Sequence, residues 1–120
     1  LTWNVTPMLI TLDRMPTRFP ALSLAKVRKW APVAAARGVS VTARGRGGFL
    51  PAYRRAGGRL GDMGTARDGQ RWTKKRLDFL RRHLAQVIET REPLFQADGT
   101  PTRRHLALIC WGYSPASRRL

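Results

Sequence analysis

Residues 70–90 read QRWTKKRLDFLRRHLAQVIET, and the spacing of their apolar side chains decides the fold class. Leu77, Leu80, Leu84, Val87 and Ile88 fall at i, i+3, i+7, i+10 and i+11, which is one face of an α-helix. Trp72 and Phe79 widen that face near its start. Lys74, Lys75, Asp78, Arg81, Arg82 and Glu89 occupy the other faces. With Asp68 opening the element, the pattern predicts a helix over 69–90.

Downstream, Glu92-Pro93 breaks this helix and the ADGTP stretch at 97–101 reads as a turn. Thr100 or Thr102 can then cap a further helix, with Pro101 in its first turn. Leu106, Ile109, Cys110 and Tyr113 share one face of it, while Leu108 and Trp111 cover the opposite side. A helix apolar nearly all round belongs at the centre of a fold. It is expected over 101–113, where Ser114-Pro115 stops it, and residues 116–120 form a basic tail.

Upstream, GFLPAYRRAGG (48–58) places Pro51 in a first turn and Gly57-Gly58 after the last, which predicts a short helix over 48–56. The glycine-rich residues that follow, 59–69, read as a loop. Ser23 can cap a helix over 23–37 carrying Leu24, Val27, Trp30 and Val33, with Gly38 just past its end. Pro32 lies inside this helix and is expected to kink it or to split it into 24–29 and 32–37. The SVTARGRGG stretch at 40–48 reads as a flexible basic connector. Residues 1–21, with Pro7, Pro16 and Pro20, are expected to be irregular, a short strand over 8–12 being the one extended segment the pattern allows. The sum is an all-α bundle of about four helices in a single domain over 22–115.

The composition bounds what such a domain can do. The 120 residues include 23 Lys and Arg against seven Asp and Glu, a formal net charge of +16. A field of that sign attracts polyanions, and nucleic acid is the commonest one in a cell. Of the cations only Lys26, Lys29, Lys74 and Lys75 are lysine. Arginine's planar fork grips phosphates and stacks on bases, although GC-rich codon usage also favours it. Cys110 stands alone, so no intrachain disulfide forms, and one Cys with two His does not build a zinc finger at these spacings. A lone cysteine in an apolar run suits a reducing, cytoplasmic setting. No stretch reaches the roughly 18 apolar residues of a membrane span. The opening LTWNVTPMLITLDRM lacks the basic and apolar regions of a signal peptide. It begins with Leu, and Met15 is an alternative start, with residues 1–14 as an upstream extension; losing Asp13 and Arg14 leaves the net charge unchanged.

The five residues Arg-Arg-His-Leu-Ala occur twice, at 81–85 and 103–107, and carry both histidines. His83 and His105 could serve as an acid–base pair in a small nuclease, or bind a metal with nearby acids. The acids, however, are scattered along the chain, and each His sits beside an apolar stripe, the usual place of a structural imidazole. The expectation is therefore a boundary histidine on each helix, no catalytic residue, no metal and no cofactor. No GxSxG, Walker A or HExxH motif occurs, and GRGGF does not sit between a strand and a helix as a dinucleotide fingerprint would.

The arginine pairs say more. Arg103-Arg104 lie in the first turn of the last helix, where cations oppose the helix dipole. A bound phosphate, held by first-turn N–H groups and two guanidiniums, would resolve that conflict. A helix–turn–helix is less apt, because about ten residues join the two helices and the second is too apolar to read a major groove. Only Thr102, Arg103 and Arg104 at its tip could reach base edges. Candidate phosphate contacts are Arg81, Arg82, Arg103 and Arg104, supported by Lys74, Lys75, Arg54, Arg55, Arg44 and Arg46. The reading is a small basic nucleic-acid-binding protein. Its rivals are a His-dependent nuclease and a virion or interaction component that binds an acidic partner.

Four stretches carry a family resemblance: KVRKWAPVAAARGVS (26–40), GFLPAYRRAGG (48–58), the W…KR…F…RHLAQ pattern (72–86) and DGTPTRRHLALICWGYSP (98–115). Over 26–115 the chain resembles a family of short basic proteins of no assigned activity, associated with bacteriophages and their bacterial hosts. The resemblance implies that 26–115 form one unit and that DNA is the favoured polyanion. It carries over no catalytic residue.

Overall fold

The computed structural model describes Pro16 and residues 18–114 of the chain. The strand expected over 8–12 and the basic tail lie outside these residues. Among the described residues the protein is all-α: α1 Leu24–Ala36, α2 Val41–Arg44, α3 Phe49–Arg55, α4 Trp72–Thr90 and α5 Arg103–Ile109, with a 3₁₀ turn at Leu60–Asp62. The four expected helices are present, and α2 adds a fifth, of a single turn, inside the segment expected to be a flexible connector.

The ends of the helices follow from local chemistry. Ser23 accepts a hydrogen bond from the Lys26 N–H and starts α1. At the far end Gly38 takes φ +68°, its N–H donates to the Ala35 carbonyl, and the Val39 N–H donates to that of Ala34. This pair of bonds closes the helix and turns Val39 into the core. Gly57 and Gly58 close α3 in the same way, donating to Arg54 and Tyr53. Pro32 leaves α1 continuous rather than split. It is exposed, so water can take the place of the hydrogen bond it removes.

α4 and α5 begin later than expected, and α5 also ends earlier. Asp68 does not open α4. The stretches TARDGQR (65–71) and FQADGTP (95–101) instead fold as two copies of one turn, each closed by an isolated bridge, Thr65 to Arg71 and Phe95 to Pro101. In the first, Ala66 N–H donates to Gln70 O at 2.7 Å and Gln70 N–H to Asp68 Oδ1 at 2.9 Å. In the second, Gln96 N–H donates to Thr100 O at 2.7 Å and Thr100 N–H to Asp98 Oδ1 at 2.9 Å. An aspartate spent on its own turn cannot cap the next helix. α4 therefore starts three residues later than expected, and α5 starts at Arg103, capped by Thr102. α5 also stops at Ile109 instead of 113. Gly112 takes φ +74°, reversing the chain so that Tyr113 pairs with Ala21.

The core forms around α5. Val27, Ala34, Phe49, Tyr53, Trp72, Leu106, Ile109 and Cys110 make one buried cluster, and Leu80, Leu84 and Leu108 a second. Trp111 packs against both. Rings run through the junction as a column. Tyr53 stacks on Phe49 at 5.3 Å, Phe49 on Trp111 at 5.0 Å, Trp111 on Phe79 at 4.6 Å and Phe79 on His83 at 4.0 Å. Arg76 is 5% exposed and donates to four carbonyls: Trp111 at 2.8 Å, Gly112 at 3.0 Å, and Phe19 and Pro20 at 3.2 Å. It thereby ties the entry to α1 and the turn after α5 to the second turn of α4. Its burial lowers its pKa, but a guanidinium stays charged in proteins.

Candidate nucleic-acid interface

The conflict noted for Arg103 and Arg104 is resolved within the protein. Arg103 Nη1 donates to the Arg37 carbonyl, the C-cap of α1, at 2.7 Å. A cation beside the negative end of one helix offsets its place at the positive end of another. Arg104 donates through Nε to Glu92 Oε2 at 2.6 Å and through Nη1 to Gln86 Oε1 at 3.0 Å, with Nη1 also 2.7 Å from His83 Nδ1. Hydrogen bonding to Arg104 holds the Glu92 carboxyl below the usual carboxylate range. α5 itself has seven residues, so its tip is a junction of α1, α4 and α5 rather than a free helix end.

The histidines part company. His83 is half-buried, and because Arg104 can only donate, its Nδ1 is the acceptor. Burial lowers its pKa first, then the charges of Arg104 and Arg82, while Glu92 opposes them. His105 is fully buried in the core and not at its boundary. Its Nδ1 lies 2.8 Å from the Leu94 carbonyl, to which it donates, and burial lowers its pKa. Among the described residues no cluster of three or more His, Cys, Asp or Glu could hold a metal. No described helix is long and apolar enough to cross a membrane.

The other candidates are distributed over several surfaces. Lys74 pairs with Asp78 at 2.8 Å, and Lys75 pairs with Asp68 while lying 5.6 Å from the Trp72 ring centre. Arg82 is exposed on α4 and lines a cleft with Lys75. Arg81 is half-buried on the same helix. Arg54 and Arg55 are exposed in the last turn of α3, and Arg46 is exposed in the turn before it. Arg44 in α2 donates from Nε to the Val39 carbonyl at 2.7 Å. Arg44 and Arg54 meet Arg28 around a groove of about 330 Å³ with an apolar floor of Leu24, Val27, Ala31, Pro32 and Leu50.

Arg28 was missing from the sequence-derived set, and the signal that would have found it is the sign of charge along the chain. Between residues 18 and 61 stand Arg18, Lys26, Arg28, Lys29, Arg37, Arg44, Arg46, Arg54, Arg55 and Arg59, with no Asp or Glu. All six acids of the described residues lie from Asp62 onward, and four of them pair with Arg59, Lys74, Lys75 and Arg104. The half built from α1, α2 and α3 is thus purely basic, and most of its cations are exposed. Set against family models, curated proteins and solved structures, the chain matches none.

Proposed function

We propose that this protein binds nucleic acid, chiefly through phosphates, and DNA in preference to RNA. One observation carries the reading: the run of ten cations from Arg18 to Arg59 is uninterrupted by any acid and is largely exposed. Like charges on a small domain destabilise its compact state, so a surface of this kind finds its compensation in a polyanion. Lys26, Arg28, Lys29, Arg46, Arg54 and Arg55 are the leading phosphate contacts, with Arg82 extending the surface onto α4. The preference for DNA rests on the phage-type resemblance of residues 26–115.

Binding of labelled duplex DNA, single-stranded DNA and RNA across a salt series tests this. Each neutralised phosphate contributes about 0.9 to the slope of log K against log salt for duplex DNA and about 0.7 for single strands. A steep, linear loss of affinity with salt is expected. Absence of binding to all three at low salt would refute the reading. An acidic polypeptide that bound more tightly than any nucleic acid would replace it with a protein-partner role.

A further inference from the structure

A groove of about 330 Å³ lies between α1 and the α2–α3 segment, with Arg28, Arg44 and Arg54 around it. We propose that it docks an acidic, amphipathic segment of a partner protein, and that the docked segment displaces nucleic acid from the same face. The displacement rests on the nucleic-acid reading above, and the docking does not.

The floor calls for apolar side chains. Leu24 and Ala31 are half-buried and Pro32 and Ala35 exposed, above the buried Val27 and Leu50. A duplex carries its phosphates outward and its bases stacked inside, so it leaves this floor uncovered. An amphipathic segment laid along α1 covers it with its apolar face, as helices do in hydrophobic grooves elsewhere.

The rim calls for anions. No Asp or Glu lines the groove, and none occurs between residues 18 and 61. Arg28 and Arg54 are exposed and make no ion pair among the described residues. Arg44 gives Nε to the Val39 carbonyl and keeps its two terminal nitrogens for an acceptor. Carboxylates flanking the apolar residues of the segment complement all three guanidiniums, which steers the encounter and fixes the register.

A third feature favours a peptide over a lipid. Pro32 has no N–H, so the Arg28 carbonyl, one turn earlier in the continuous α1, lacks its usual helical donor. Both residues line the groove. A peptide N–H can donate to that carbonyl, whereas an acyl chain and a phosphodiester have no N–H to give. Arg28 and Arg54 are also leading phosphate contacts, so a segment seated in the groove takes them from nucleic acid.

The test uses the full chain at about 0.15 M salt, where exposed charges are screened beyond about 8 Å. Fluorescence anisotropy follows a labelled synthetic peptide with leucine at i, i+3, i+4 and i+7 and glutamate between, beside a control with serine in place of leucine. The leucine peptide is expected to bind at least about tenfold more tightly, within what burial of one leucine supplies. In excess it should displace labelled duplex DNA. Pro32→Ala restores the helical N–H to the Arg28 carbonyl. It should weaken the leucine peptide about fivefold, the size of one hydrogen bond, and leave duplex DNA binding within about twofold. Equal affinity of the two peptides would overturn the groove, and so would a leucine peptide indifferent to Pro32→Ala. Phosphatidylserine vesicles that bound more tightly than the peptide would give the groove to a lipid surface instead. Peptide binding that left DNA in place would refute the displacement. Peptide binding by a protein that bound no nucleic acid at low salt would keep the docking and remove the nucleic-acid reading.

Discussion

Arg104 holds its Nη1 2.7 Å from Nδ1 of His83 and thereby fixes that imidazole as a neutral acceptor. The arginine reaches across from α5 to α4, and its Nε bonds Glu92 just past the end of α4. Protonating His83 would set two cations against each other at hydrogen-bond distance. Protonating His105 would bury a charge within the core.

Acid should therefore destabilise this fold well above the carboxylate range. Both histidines have folded-state pKa values below the ordinary imidazole value of 6.5. Above that value both states are neutral and the groups contribute nothing. As pH falls through it, the unfolded chain binds protons first, and stability drops until the folded-state values are passed. Urea unfolding at about pH 7.5 and 5.5 should show a lower midpoint at the acid value. His83→Gln keeps an acceptor for Arg104 and should shrink the difference. An unchanged midpoint between the two pH values would contradict the neutral-imidazole arrangement.

Arg76 supports a sharper stability prediction. Its four acceptors lie on two segments far apart in sequence, 19–20 and 111–112. Removing the side chain takes a charged donor from four carbonyls, of which Gly112 O keeps the Leu22 N–H and Pro20 O the Ser114 N–H, so the loss falls mainly on those of Phe19 and Trp111, at about 1 kcal/mol or more each. Arg76→Ala should cost about 3–4 kcal/mol of unfolding free energy. Arg76→Lys should cost about 2 kcal/mol, because a point-like ammonium cannot span the fork. Denaturant melts measure both, and a loss below about 0.5 kcal/mol for Arg76→Ala would show that the carbonyls find other partners.

Two glycines distinguish space from backbone freedom. Neither Gly48 nor Gly61 takes a positive φ. A Cβ on Gly48 would sit 2.2 Å from the Thr42 carbonyl oxygen and 2.6 Å from that of Ala43, so α2 would have to move. A Cβ on Gly61 meets nothing within 4 Å. Gly48→Ala should cost about 2 kcal/mol or more, and Gly61→Ala should stay within about 0.5 kcal/mol of the wild type. Equal effects in thermal melts would count against the packing of α2 on the start of α3.

The helical elements were legible because local rules decide them. Ser23, Gly38, Pro51, Gly57 and the stripe from Leu77 to Ile88 all act within a few residues of themselves. The errors arose where two local rules competed. Asp68 is a good helix cap, but it sits before a glycine and closes its own turn instead, as Asp98 does in the stretch expected to turn. Tyr113 fits the face of α5 by spacing, yet Gly112 has already turned the chain. Long-range facts left no local trace. Nothing around Arg76 distinguishes it from Lys74 or Lys75, and burial of His105 depends on Leu94 and Phe95 folding over it. The two RRHLA copies accordingly do different work: His83 ends the ring column, and His105 lies inside the core. The acid-free run, in contrast, was open to inspection in the sequence, and overall charge obscured it.

That run separates arginines that serve the fold from those left for a ligand, and paired variants should resolve the two. Arg104 already neutralises Glu92 and bonds Gln86. Arg104→Ala should lower stability by about 1–3 kcal/mol, since it strips a part-buried network of its donor, and should leave the salt dependence of DNA binding nearly unchanged. Arg54 and Arg55 stand exposed at the end of α3, where their loss costs a few tenths of a kcal/mol through the helix dipole. The double variant Arg54→Ala, Arg55→Ala should unfold close to the wild-type midpoint while its slope of log K against log salt falls by about 1–2 for duplex DNA. The opposite pattern, with the slope lost in Arg104→Ala and kept in the double variant, would move the binding surface from α3 back to the junction of α4 and α5.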